Sequence, residues 1–458
     1  MTTHWRLSLF YLAFCLFMAS AQADSENPPN LSPSTEVLTL TRAIDLAIHN
    51  NPDMHAAQAR IAASLAQLHE IRAAFLPQIY AGLSYVHSND PSRVFGMIVS
   101  QRRFKQGMDI NNPGYEEDFR PEVGVRWSLF RGGQDYYSHQ AANLGIDAVT
   151  AQRTAIRNQL ATAVSTAFYH LLEAPQHLDV AHRTLTTVHR ELDFMEARRR
   201  QGMALKSDVL SLEVRLAQAR EQQIRAENMS ESAKAVLRTL LALPPESKLQ
   251  IQSASTELPA SAGEFPFWLE RALQSRPELK SANQQVAARE KELMAAKGAR
   301  LPTVDAFLVY GQNSKDPGFS TDKDNLTIGV QARLDLFSGG AISARIQQAQ
   351  QHLNEARAMA DRTRLQVEQE VKQAWLDLRE ALARLEVAKK RVSAADEALH
   401  LVQAQYRGGT ATVTRFLEAE TDHAAARLHW ISARFNALIA QAELKRVTGL
   451  WFQQESPL

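Results

Sequence analysis

Two hydrophobic rhythms divide this chain. Over residues 78–87 Ile79, Ala81, Leu83 and Tyr85 alternate with Tyr80, Gly82, Ser84 and Val86. Over 122–130 Val123, Val125, Trp127 and Leu129 alternate with Glu122, Gly124, Arg126 and Ser128. The pattern returns over 303–311, with Val304, Ala306, Leu308 and Tyr310 opposite Asp305 and Phe307. It is cleanest over 325–337, where Leu326, Ile328, Val330, Ala332, Leu334 and Leu336 oppose Thr327, Gly329, Gln331, Arg333 and Asp335. A period of two predicts strands with unlike faces. An apolar face over about 9–11 residues, backed by charges, suits a strand between lipid and water. A half-buried strand in a small soluble sheet carries the same pattern.

The second rhythm steps by three and four. Val371, Ala374, Leu378, Ala381, Leu385, Ala388, Val392, Ala395, Leu399, Val402 and Tyr406 form one unbroken seam, and no proline or internal glycine interrupts 341–406. Val164, Ala167, Leu171, Ala174, Leu178, Ala181, Leu185, Val188, Leu192 and Met195 form another. Sustained heptads predict helices packed on helices along their whole length, here over 134–200, 205–243, 340–406 and 411–449. A helix of the 340–406 kind is about 100 Å long. The two successive four-residue steps from Thr363 to Val367 to Val371 are a stutter, which locally unwinds a supercoil. Alanine-rich seams with such a break suit a wall of near-parallel rods, although a coiled-coil scaffold satisfies the helices alone. Pro175 lies beside its seam and predicts a local kink.

The whole arrangement occurs twice. "IDLAIHNNPDM" (44–54) matches "LERALQSRPEL" (269–279) at a shift of 225, which also pairs Tyr85 with Tyr310. "VRWSLFRGG" (125–133) matches "ARLDLFSGG" (332–340) at a shift of 207, which carries Gly202 onto Gly409 and Leu237 onto Leu444. The shift changes between the paired strands, where the first copy has the longer loop. Each copy, 44–243 and 269–450, reads helix, strand, loop, strand, very long helix, turn, long helix. Residues 24–43 and the Pro- and Ser-rich stretch 244–268 read as extended segment and connector, and 451–458 as a tail.

Composition narrows the function classes. Lys and Arg total 51 against 50 acidic residues, and no basic block marks a nucleic-acid partner. The segment 1–23 has Arg6, an apolar run from Leu7 to Met18, and Ala21-Gln22-Ala23; it reads as a cleaved secretory leader. Cys15, the only cysteine, falls inside it behind bulky Phe14, so it is expected to be discarded rather than lipidated. Cysteine catalysis and disulfides are then excluded. No phosphate-binding glycine loop or nucleophile elbow is present. His177, His182 and His189 lack a compact ligand pair. No catalytic residue, metal or cofactor is expected, and the chain is not read as an enzyme.

Strands in lipid impose a further condition. Four cannot close a wall, since barrels need about eight or more. Open edges would leave backbone groups unpaired at several kcal/mol each. Two chains supply about eight strands and three about twelve, so oligomerisation would close the wall.

Duplicated strand hairpins, the "F-x-G-G" turns, very long helices and the glycine turn into "DVLSLEVRLAQAR" together resemble the TolC-like outer-membrane efflux protein family over about residues 36–450. The resemblance implies a mainly α fold with a membrane β-barrel. Three chains would share a twelve-stranded barrel, continued into the periplasm by an α-barrel with an equatorial belt. It implies a homotrimeric outer-membrane channel in a tripartite efflux or type I secretion system. The partners would be a periplasmic adaptor, an inner-membrane transporter of RND, ABC or MFS type, and outer-membrane lipid. A periplasmic coiled-coil scaffold or adaptor without its own pore is the alternative.

The family resemblance places the turns 198–210 and 405–417 at the periplasmic tip. Asp208 and Tyr406 stand where the family closes its aperture; Ala411 replaces an expected arginine, Arg415 an expected aspartate, and Glu418 supplies an acid nearby. Arg415 is expected to pair with Asp208 or Glu418. Arg200, Gln201, Gly202, Met203, Arg407, Gly408, Gly409 and Thr410 are candidates for adaptor contact. The lipid-facing set is Ile79, Leu83, Tyr85, Val123, Val125, Trp127, Leu129, Val304, Leu308, Tyr310, Leu326, Ile328, Val330, Leu334 and Leu336.

Overall fold

The computed structural model describes residues 37–252, 257–319 and 321–452. The leader with Cys15, most of the N-terminal extended segment and the end of the tail lie outside the described residues. The first copy comprises α1 (Leu40–Asn50), α2 (Pro52–Ala73), β1 (Gln78–Ser88), α3 (Pro91–Ser100), β2 (Glu116–Arg131), α4 (Gln134–Arg200) and α5 (Lys206–Leu240). The second comprises α6 (Phe265–Ser275), α7 (Pro277–Gly298), β3 (Thr303–Gln312), β4 (Asp324–Arg333), α8 (Ala341–Arg407) and α9 (Val413–Val447), with a short 3-10 turn before β4. Pro52 and Pro277 each occupy a first helical turn, where a missing N–H costs nothing, and Asn51 caps α2 by accepting from Asp53 N.

The four strands form one antiparallel sheet in the order β1-β2-β3-β4. Registers Ile79↔Val125, Val125↔Leu308 and Leu308↔Ile328 run straight across it, so the apolar rows of both hairpins share one face. β2 starts six residues before the alternation does. Phe119 exchanges backbone hydrogen bonds with Ser314, and Pro121, which has no donor, lies between that bridge and the first regular rung, Glu122↔Gly311. The proline therefore blurs the sequence pattern at a point where the ladder toward β3 lapses.

The second copy corrects the expected strand end. β4 stops at Arg333, not 337, because its partner β3 begins at Thr303, immediately after Pro302. Leu334 and Leu336 lie beyond the ladder, and Leu336 is 90% exposed. A second departure lies in β2, where a bulge between Ser128 and Phe130 sets Phe130, not Leu129, opposite Val304. One inserted residue reverses the alternation beyond it.

α4 and α8 are each 67 residues long, and α4 continues through Pro175. The two copies build matching cores. Around α1, α2, α4 and α5, Ala47, Met54, Leu160, Val164, Ala167, Leu171 and Leu237 are buried together. Their counterparts at the sequence shifts, Ala272, Leu279, Val367, Val371, Ala374, Leu378 and Leu444, are buried together around α6 to α9. The connector is anchored where Leu38 N donates to Gln250 O at 2.7 Å and Gln252 N donates to Leu38 O at 3.1 Å.

Equivalent helix ends differ in one atom group. After α9 the chain turns through Gly449 at φ 72; after α5 the same turn passes through Ala242 at φ 52, with the same pair of closing backbone bonds. A left-handed residue bearing a Cβ costs about 1–2 kcal/mol, while glycine adds about 0.4–1 kcal/mol of unfolded-chain entropy. Ala242→Gly is expected to raise stability by up to about 1 kcal/mol, read as a shift in denaturant midpoint. Gly449→Ala is expected to lower it, since the added Cβ would lie 3.0 Å from Ser275 O.

Candidate channel aperture and wall

Both long helices end in the same way. Met203 N donates to Arg198 O and Gly202 N to Arg199 O, each at 2.9 Å, with Gly202 at φ 77. Thr410 N donates to Gln405 O at 2.9 Å and Gly409 N to Tyr406 O at 3.1 Å, with Gly409 at φ 76. These paired bonds satisfy the last carbonyls and turn each chain back on itself. Arg200, Gln201, Gly202 and Met203 are exposed on one turn; Arg407, Gly408, Gly409 and Thr410 are exposed on the other.

Behind the turns the two helix pairs share one apolar cluster. Val188, Leu192 and Met195 of α4 and Val209 and Leu212 of α5 pack with Val402 and Tyr406 of α8 and Val413, Phe416 and Ala419 of α9. Tyr406 is buried, its ring stacked on Phe416 with centroids 5.1 Å apart, and its hydroxyl has no hydrogen-bond partner among the described residues. Burial, reinforced by Glu191 and Asp208 and opposed by Arg198, pushes its phenol up to about 12. Asp208 therefore lies in the electrostatic surroundings of Tyr406. Arg415 Nη1 donates to Glu418 Oε2 at 3.2 Å, one turn along the exposed face of α9. Of the two expected acidic partners the structure selects Glu418. Such an exposed pair contributes about 0–1 kcal/mol.

A deeply buried polar tie at this end lies between Arg215 of α5 and Glu420 of α9. Arg215 Nη2 and Nε donate to Glu420 Oε2 at 2.8 and 3.2 Å, and both side chains are at least nine-tenths buried. This pair joins the two copies. Neither residue was picked out from sequence, because the partners are 205 positions apart and each looks alone like an ordinary solvated helix charge.

Farther along α4, Glu173 is buried between His170 and His177, each with a ring nitrogen 3.2 Å from its carboxylate. Ser432 of α9 donates to Glu173 Oε1 at 2.7 Å. Burial raises the carboxyl, but the hydrogen bonds from His170, His177 and Ser432 and the charge of His177 outweigh it and hold the group below the usual carboxylate range. The spacing H-x-x-E-x-x-x-H is the signal that could have revealed this cluster. Among the described residues no group of three acidic, histidine or cysteine side chains is placed to hold a metal ion.

In the sheet, Ile79, Leu83, Tyr85, Val123, Val125, Trp127, Val304, Leu308, Tyr310, Leu326, Ile328 and Val330 all fall on one face. Phe130 joins that face at the bulge. Arg120, Glu122 and Arg126 occupy the other, where Arg120 pairs with Glu122 at 3.1 Å and Arg126 lies over the Tyr80 ring. Among the described residues no helix is long and apolar enough to cross a membrane.

Two consequences can be measured. Glu420→Ala should cost about 3–5 kcal/mol by stranding Arg215, whereas Arg215→Met with Glu420→Leu should be near neutral in thermal unfolding. A depressed carboxyl contributes stability above its unfolded value of about 4.3, and that contribution fades as pH falls toward the folded value. Glu173→Gln should therefore flatten the loss of thermal stability on acidification below about pH 5.

Residues 43–243 and 268–450 match the outer membrane efflux protein family. The chain is 28% identical to protein CyaE of Bordetella pertussis over 412 residues, covering 89% of this chain and 82% of that protein. It is 22% identical to outer membrane protein TolC of Escherichia coli over 424 residues, 89% of this chain and 81% of that protein. The crystal structure of the outer membrane protein VceC from Vibrio cholerae superposes with a TM-score of 0.76 at 18% identity, covering 90% of this chain and 96% of that one.

Proposed function

The chain belongs to the outer membrane efflux protein family, and on that premise we propose that three copies form a passive exit duct across the outer membrane. One observation carries the reading: a four-stranded sheet, apolar on one face and charged on the other, whose two outer edges find no partner among the described residues. Three copies supply about twelve strands, and edge-to-edge pairing satisfies every backbone group that lipid cannot. The apolar row from Ile79 to Val330 then meets lipid, and Arg120, Glu122 and Arg126 line water. The 67-residue helices extend the duct by about 100 Å into the periplasm.

The remaining assignments follow from that orientation. The exposed turns around Gly202 and Gly409 dock a periplasmic adaptor, which couples the duct to an inner-membrane transporter of the RND, ABC or MFS type. Asp208, Tyr406, Arg415 and Glu418 form the aperture at that end, with Glu191 and Arg198 beside Tyr406. Residues 1–23 direct export and are removed without lipidation. The duct performs no chemistry; energy comes from the transporter, in efflux or in type I secretion. A scaffold without a pore has no use for a sheet with charged and apolar sides.

The protein should fractionate with the outer membrane as a trimer whose gel mobility changes on heating. In planar bilayers, Tyr406→Ala and Arg415→Ala should each raise single-channel conductance by about twofold or more. Unchanged conductance in both would remove these residues from the aperture, and a water-soluble monomer would sink the duct itself.

A further inference from the structure

The loop between β1 and β2 is folded rather than slack. Asp90 caps α3, its Oδ1 accepting from Ser92 N at 2.9 Å and Arg93 N at 3.2 Å, and Pro91 occupies the first turn. Val94, Met97 and Ile98 form a buried face, and Gln101 at the helix end is 1% exposed. Gln101 Nε2 donates to Asp118 Oδ1 at 2.9 Å and to Glu117 O at 2.8 Å. Arg103 clasps both oxygens of Glu116, at 3.0 and 3.3 Å, and donates to Gln101 Oε1 at 2.9 Å.

The parity of those residues decides where α3 lies. Glu116 and Asp118 share the side of β2 that carries Arg120, Glu122 and Arg126, the charged face. The opposite side carries Val123, Val125 and Trp127. A loop attached through Glu116 and Asp118 therefore folds across the polar side of the sheet, over the space that a closed barrel would enclose.

The attachment reaches the second hairpin as well. Asn313 Nδ2 donates to Asp118 Oδ2 at 2.7 Å, and Asn325 Nδ2 donates to Asn313 Oδ1 at 3.0 Å. Arg102 ends α3 at φ 58, in the left-handed region that favours glycine, and its guanidinium donates to Asp324 O at 3.2 Å. Gln101, Asp118 and Asn313 are all nearly or fully buried, so this is a packed joint, not a surface tangle.

We propose that α3 is a size filter at the external mouth of the duct, and that Gln101, Arg103 and Asp118 hold it there. In a trimer three such helices would converge on the opening farthest from the periplasmic turns. The proposal rests on the channel reading, and the test separates the two. Cells carry the full-length protein with Cys15→Ser and a reporter, Ser84→Cys, on the polar face of β1. They are treated from outside with a small thiosulfonate and with a maleimide carried on a polyethylene glycol chain. The small reagent should label every variant. The bulky one should label Gln101→Ala/Arg103→Ala about tenfold faster or more than the parent. Equal rates with the bulky reagent would overturn the filter. Should the double variant not assemble, Asp118→Asn, which keeps the strand intact, is read in the same way. If the small reagent fails to reach the reporter in assembled trimers, the lumen reading falls, and the filter with it.

Discussion

Backbone hydrogen bonding in a solvent that offers none is the constraint on which this architecture turns. Among the described residues β1 pairs only with β2, and β4 only with β3, so a row of amides and carbonyls is left on each flank. In water such edges are tolerable; in hydrocarbon each unpaired group costs several kcal/mol. The apolar row across all four strands is what the proposed duct would turn toward lipid. On the proposed reading, the isolated chain is incomplete and its own copies supply the missing edges.

Duplication supplies what closure needs at little additional complexity. Each copy contributes one hairpin and one pair of long helices, and the same shifts of 225 and 207 that align the sequences superimpose the buried positions of the two equatorial cores. The glycine turn after β2 leads directly from sheet to helix, and the one before α8 follows a short extended stretch beyond β4, so a wall of strands becomes a wall of rods. Small seam residues such as Ala167, Ala174 and Ala374 let those rods approach closely along their length. The departures between copies are local: an alanine for a glycine at one helix end, a folded loop in place of a short one.

Much of this was legible in the residues themselves. The heptad seams locate α4 and α8 to within a residue at each end, because little in 134–200 or 341–407 competes with helix beyond Gly145 and Pro175. The strand rows were readable where alternation was unbroken and failed where geometry intervened: at Pro121, at the bulge before Phe130, and at Leu334, which faces Pro302 just outside β3. The signal for α3 is Asp90-Pro91 with Ser92 behind it, a cap and first turn leading into "VFGMIV" inside what the strand pattern alone reads as loop. The aperture was only partly readable. Tyr406 and Asp208 do come into one neighbourhood, but Arg415 turns to Glu418, since a short in-helix reach is more accessible than one across the tip. Glu173 with Ser432, and Arg215 with Glu420, became visible only when distant helices met. Sequence spacing carries no record of such encounters.

The Arg215–Glu420 pair gives the junction between the two helical hairpins an unusual thermodynamic character. Two charges brought together out of water gain little over the hydration they surrender, so parting them into solvent returns most of that hydration. An all-aliphatic junction would offer no such return. The pair therefore adds little to the expense of opening the seam yet recognises a single correct alignment when it shuts, because any slipped arrangement would leave a lone ion dry.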